Sequence, residues 1–238
     1  MKRLFSLLVM MLLLALPVYA SDTNSALLER GYEQAYLDML IEPQKEKLLE
    51  LAEQYDANCV FVHSANGDRY TPDTVVAVAE IDDDTYLVAA DYAWREVPAS
   101  QGEDSFCVVW DEKLFEYYGG FAAYDWAQYP ERGEWQMIRA LDNGEVQPEG
   151  ILYSVVPNPQ ATALRGSAYL LLTIRSDAAL ENVDFDSVKG GYFHNADENV
   201  QTEMHTYYKF KGIAIVAAVL LPFGILIGKS AFANFRAR

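Results

Sequence analysis

Residues 73–94 read DTVVAVAEIDDDTYLVAADYAW. Two runs rich in Val, Ala, Leu and Tyr flank three consecutive carboxylates, Asp82, Asp83 and Asp84. β-Branched and aromatic residues favour a pleated, half-buried backbone, and a short polar connection between two such runs is turn chemistry. The stretch therefore predicts two strands joined by an acidic turn. The same texture recurs from Asn58 onward, in CVFVH, FCVVW, EWQMIRAL, GILYSVVP and GSAYLLLTIR. Gly, Pro, Asn and Asp separate these runs, as in ANGD, DNGE and PNPQ. Connections of hairpin length outnumber those long enough for a crossover, which predicts a mainly antiparallel sheet.

Upstream of the strands the period changes. In SALLERGYEQAYLDMLI, Leu28, Tyr32, Ala35, Tyr36 and Met39 recur at helical spacing. In EPQKEKLLELAEQYDAN, Pro43 suits a first helical turn, and Leu48, Leu51, Ala52 and Tyr55 make one apolar face. The expected class is α+β, with N-terminal helices packed on a mainly antiparallel β-sheet and one C-terminal transmembrane helix.

The two ends set the expected topology. Lys2 and Arg3 precede an apolar run from Leu4 to Leu16, and Pro17 and Ala20 follow. That run is short of the roughly 20 residues that span a bilayer, so residues 1–20 read as a cleaved signal peptide. Residues 21–175 form an extracytoplasmic domain, and 176–211 an edge strand and juxtamembrane stalk. Gly212 to Gly228 is uncharged and makes about 26 Å of helix. It reads as a single-pass membrane span whose reach Lys211 and Lys229 extend. The tail, 229–238, carries Lys229, Arg236 and Arg238, which places the C-terminus in the cytoplasm and the N-terminal domain outside the plasma membrane. The domain holds no Asn-x-Ser/Thr, which fits a bacterial cell surface. Gly224 and Gly228 form G-x-x-x-G, a close-approach motif for homo- or hetero-association of the helix.

Charge is unevenly spread. All 35 carboxylates lie between Asp22 and Glu203, with only 11 of the 18 Lys and Arg, and the whole chain carries −17. Such a surface repels nucleic acid and anionic lipid. The two cysteines, Cys59 and Cys107, sit in strand-like runs; outside the cytosol an even pair predicts a disulfide.

No local motif carries catalysis: G-x-S-x-G, H-E-x-x-H and the P-loop are absent. Cys59 and His63, on one strand face, stand about 13 Å apart, too far for a nucleophile and its base. No cofactor is implied, with Ca²⁺ as the exception to weigh. Asp82, Asp83 and Asp84 offer oxygen ligands, against their reading as a turn. Asn182, Asp184 and Asp186 follow the first spacings of an EF-hand loop, but Ser187 and Phe193 stand where Gly and Glu are required. The segment richest in recognition chemistry is LFEYYGGFAAYDWAQYPERGEW. Its Tyr117, Tyr118, Tyr124, Trp126 and Tyr129, with carboxylates between them, are candidates for binding a protein or glycan. Core packing is the alternative for Tyr124 and Trp126, which share a strand face. The expected function is thus a non-enzymatic, membrane-anchored surface protein whose acidic domain binds a protein or glycan. The alternatives are an accessory subunit of a membrane complex and a membrane-tethered hydrolase.

Overall fold

The acidic triplet closes a hairpin. Asn58–Ala65 (β1), Asp73–Glu80 (β2) and Thr85–Trp94 (β3) run antiparallel in sequence order, Glu80 opposite Tyr86. Between β2 and β3 the Asp82 carboxylate accepts the amide N–H of Asp84 at 3.0 Å and of Thr85 at 2.8 Å. The computed structural model describes residues 22–67, 71–94, 97, 104–176, 178 and 183–193. Its further strands are Asp104–Val109 (β4), Phe115–Gln128 (β5), Trp135–Leu141 (β6), Glu145–Gln147 (β7), Gly150–Val155 (β8), Ala163–Ile174 (β9) and Lys189–Phe193 (β10). They form a six-stranded sheet, β1-β2-β3-β9-β5-β6, and a four-stranded sheet, β10-β4-β8-β7. Every pairing among the described strands is antiparallel.

The two sheets pack face to face. Val76, Val88, Leu170 and Leu172 of the larger meet Phe106, Val108, Ile151 and Val155 of the smaller. The opposite face of the larger sheet lies under three helices, Thr23–Glu29 (α1), Gln34–Leu37 (α2) and Glu42–Tyr55 (α3). Leu27, Leu37, Leu48 and Ala52 pack there on Val75, Ala77, Leu87 and Leu171. Helix α3 starts with Pro43 in its first turn, and the Gln44 side-chain oxygen accepts the Ile41 N–H at 3.1 Å. It ends where Asp56 turns left-handed, at φ 53°.

The α+β expectation is overturned. Strand makes up 51% of the described residues and helix 18%, in three helices, so the fold is mostly antiparallel β. The sequence reading joined all its strand runs into a single sheet. Ten strands whose inward faces must both be covered instead divide into two sheets. Residues 194–238, which hold the expected membrane helix with Gly224 and Gly228, lie outside the described residues, as do residues 1–20. Among the described residues no helix is long and apolar enough to cross a membrane.

The disulfide expectation is also corrected: Cys59 and Cys107 are free thiols. Cys59 packs against the helix-side core from β1. Cys107, on β4, lies between Phe106 and Val108, which face the inter-sheet core, so its own side chain faces away from that core. Both sheets stand between the two sulfurs, whereas a bridge needs Cα atoms within about 7 Å.

Four residues in register tie together four adjacent strands of the larger sheet, β3, β9, β5 and β6. Tyr92 of β3 lies opposite Gly166 of β9, Gly166 opposite Asp125 of β5, and Asp125 opposite Arg139 of β6. The Tyr92 ring passes over Gly166 and its hydroxyl donates to the Asp125 carboxylate at 2.8 Å. A Cβ on residue 166 would stand 2.1 Å from the ring. Gly166→Ala is expected to destabilise the protein by about 1–3 kcal/mol, the usual cost of overpacking. Urea unfolding checks this, and an unchanged midpoint would remove the role assigned to Gly166.

Candidate functional site

Among the described residues, chemistry concentrates in buried carboxylate clusters and in an open cleft. The first cluster lies between the larger sheet and the helices. The Asp91 carboxylate accepts from the Tyr36 hydroxyl at 2.8 Å, from the Gln44 amide at 3.1 Å and from the Ser167 hydroxyl. Gln44 also donates to the Gly166 carbonyl at 3.2 Å, so one amide links α3 to both β3 and β9. Burial is the largest influence on Asp91 and pushes its carboxyl up to about 6, against the pull of the three donors. The second cluster lies on the other face of the same sheet and joins β3, β5 and β6. Asp125 accepts from Tyr92 and from Arg139, whose Nε and Nη2 stand 2.8 and 2.7 Å away. Burial raises the Asp125 carboxyl as well, with the Arg139 charge opposing it. A third carboxylate, Asp104, accepts from Tyr192 at 2.7 Å.

Raised carboxyls such as those of Asp91 and Asp125 often mark active sites. Here they do not line the cleft, and each is engaged by protein donors, with Asp91 and Asp125 only 3% and 2% exposed. They serve the packing of the layers.

The cleft lies at one end of the sandwich, where the two sheets part. It has a volume of about 710 Å³, within the usual range for small-ligand sites. One wall is the β4–β5 turn and the start of β5, with Glu112, Lys113, Glu116 and Tyr117. Facing it are Val146 and Gln147 of β7 and Pro148 of the β7–β8 connection, with Arg175 beyond the end of β9. Phe115, 1% exposed, makes the floor.

The walls are fixed by the backbone. Lys113 N–H donates to the Asp111 carboxylate and Phe115 N–H to the Asp111 carbonyl, each at 2.9 Å. The Trp110 indole donates to the Pro148 carbonyl at 2.9 Å, which joins the two walls across the smaller sheet. Arg175 N–H donates to the Leu114 carbonyl at 2.9 Å, and its guanidinium lies 3.6 Å from the Glu116 carboxylate. The cleft thus offers a tyrosine ring, apolar edges, two carboxylates, two cations and an amide.

Of the five aromatic candidates, the structure brings only Tyr117 to this cleft. Tyr118 is 67% exposed beside it in sequence, at the Gly119–Gly120 bulge where the pairing with β9 shifts. Gly120 takes φ 67° there, close under Leu171. Tyr124 faces the helix side, against Tyr169 and Trp126, with Lys47 Nζ 5.2 Å from its ring centroid. Trp126 is 2% exposed. Tyr129 packs against the inter-sheet core, its hydroxyl accepting from Asn158 at 3.0 Å.

The acidic groups weighed for Ca²⁺ are also apart. Asp82, Asp83 and Asp84 sit in the hairpin turn, and Asp184 accepts the N–H of Asp186 at 2.9 Å to start a single 3-10 turn. Among the described residues no three His, Cys, Asp or Glu side chains gather as metal ligands. The Cys59 thiol is pushed up to about 11, chiefly by burial, so a thiolate nucleophile is not available there at neutral pH.

Glu112, Lys113, Gln147 and Arg175 were not singled out in the sequence. They come from three segments far apart in the chain, and no local spacing announces them.

No protein-family model matches the sequence, and no curated protein matches it. Solved structures resemble it weakly. Tailspike protein 4 of bacteriophage CBA120, in its enzymatically active domain, matches with a TM-score of 0.27 and 10% identity over 56% of this chain. The N-terminal endo-1,4-β-D-xylanase 10B of Clostridium thermocellum, solved with xylohexaose, matches at 0.23 and 10% over 54%. These matches span only 19% and 26% of those two proteins. A family 29 carbohydrate-binding module matches at 0.20 and 10%, over 52% of this chain and 99% of the module. Carbohydrate-binding modules are thus among the weak structural neighbours; similarities at this level carry no argument about the present chain.

The Asp91 cluster generates a pH prediction. Its folded pKa stands above its ordinary 3.8, so the protonated form favours folding. The associated stability is fully present below about pH 4 and is lost as pH rises toward about 6, a loss of about 3 kcal/mol. Asn at this position keeps the shape and cannot ionise: its oxygen can accept from Gln44 and Ser167, and its amide can donate to the Tyr36 oxygen. Asp91→Asn is expected to gain stability relative to the native chain as pH rises from 4 to 7. A difference in urea midpoint that stays constant across that range would refute the assignment.

Proposed function

We propose that this protein binds a glycan in the cleft between the β4–β5 turn and the β7–β8 connection. The observation that supports the reading most directly is the composition of that cleft. A sugar presents apolar C–H faces and a rim of hydroxyls. Tyr117, Val146 and Pro148 offer surface to the first. Glu112, Glu116 and Gln147 accept from the second, while Gln147, Lys113 and Arg175 donate. A concave, mixed site of this kind suits a small polar ligand better than a protein partner, whose contact surface is broad and has an apolar core.

The setting proposed for this domain is extracytoplasmic. The support is the leader over residues 1–20 and the uncharged run Gly212–Gly228 followed by a basic tail. A cell-surface tether and a sugar-binding domain form one coherent device, which holds a glycan against the envelope.

Two experiments test these readings. On a glycan array and by calorimetry, Tyr117→Leu keeps apolar contact with the core beneath and removes the ring; affinity is expected to fall about tenfold. Tyr118→Ala, outside the cleft, is expected to leave binding unchanged. Equal binding by the Tyr117→Leu variant would remove the cleft as the site. For topology, protease added to intact cells is expected to digest the β domain and spare a tag at the C-terminus. Loss of the tag with the domain intact would reverse the proposed orientation.

A further inference from the structure

We infer that the ligand of this cleft is an uncharged oligosaccharide rather than an acidic one, an inference that rests on the glycan reading above. Three observations carry it. First, the cleft's formal charges balance: Glu112 and Glu116 face Lys113 and Arg175. Second, the guanidinium that would grip a uronate or sulfate is already placed. Arg175 Nη1 stands 3.6 Å from the Glu116 carboxylate, and a bound anion would have to share that cation with a carboxylate at close range. Third, the surroundings repel anions. The chain carries 35 carboxylates against 18 Lys and Arg. A field of that sign lowers the local concentration of polyanions before any contact forms.

A neutral sugar meets none of these costs. Its hydroxyls donate to Glu112 and Glu116 in charge-assisted bonds, about twice as strong as neutral ones, and leave the Arg175–Glu116 pair in place. The Tyr117 ring takes a C–H face, with no charge required on the ligand.

Calorimetry on the full-length chain decides between the two classes. The probes are neutral gluco-, manno-, galacto- and xylo-oligosaccharides on one side, and oligogalacturonate and heparin fragments on the other. Each is titrated at low and at high salt, into the native chain and into Glu116→Gln. Glu116 is half exposed, and thermal unfolding of the variant verifies that it folds. The expected result is binding of at least one neutral sugar, unaffected by salt and weakened about tenfold by Glu116→Gln, the usual effect of losing a charged acceptor. Tighter binding of an acidic sugar, weakened by salt and strengthened by Glu116→Gln, would overturn the inference while leaving a glycan site in the cleft. Binding of neither class would overturn the glycan reading itself.

Discussion

Strands β3 and β9 have a core on each side, so each polar atom they bring inward must be answered within the protein. Neighbouring residues therefore serve different interfaces. Asp91 turns to the helices and Tyr92 to the smaller sheet; Ser167 and Gly166 do the same one strand over. Both cores are anchored by a carboxylate that a tyrosine hydroxyl meets, Asp91 by Tyr36 and Asp125 by Tyr92. Burying these acids costs free energy, as their raised pKa values record. The cost is offset in specificity of alignment. A slip of one residue between β3 and β9 would part Ser167 from Asp91 and bring a side chain under the Tyr92 ring, while reversing every side chain's face.

This doubly covered pair also determines where a ligand can be received. The broad faces of β3 and β9 are filled by α1–α3 on one side and by the smaller sheet on the other. Open polar surface with some depth is left at the end of the sandwich, where β5 begins, β9 ends and the β7–β8 connection comes close. The Trp110 indole is the strut there: it leaves β4 and holds the Pro148 carbonyl of the facing wall.

Much of the local structure was legible in the sequence. The runs on either side of Asp82–Asp84 pair as strands around that turn, and Pro43 marks the first turn of α3. What was not legible is which sheet each strand joins. An alternating run such as Phe106–Val108 has the same pattern in either sheet, and β7, with three residues, has no pattern at all. From this came the single-sheet reading and, with it, the disulfide: two cysteines in strands look bridgeable until the strands prove to lie on opposite sides of a sandwich. The aromatic stretch around β5 divides between packing and the cleft, and the sequence pattern does not say which ring goes where. Trp126 on β5 and Tyr129 just beyond it are taken up in packing while Tyr117 lines the cleft, and Glu112, Lys113 and Arg175 come from turns and strand ends that periodicity does not describe.

The position of the cleft has a mechanical side. The β7–β8 connection, one of its walls, belongs to one edge of the four-stranded sheet, and the chain continues past Phe193 from β10 at the other edge. Whereas the β4–β5 wall follows directly on β4, between the β7 wall and β10 stand the β7–β8, β8–β4 and β4–β10 ladders in series. The shortest of these, between β7 and β8, pairs three residues, and the Trp110–Pro148 bond runs alongside it as a second strut. The β7 wall of the cleft is therefore a small hairpin at the rim, held by one short ladder and one indole, and the two large cores lie behind it.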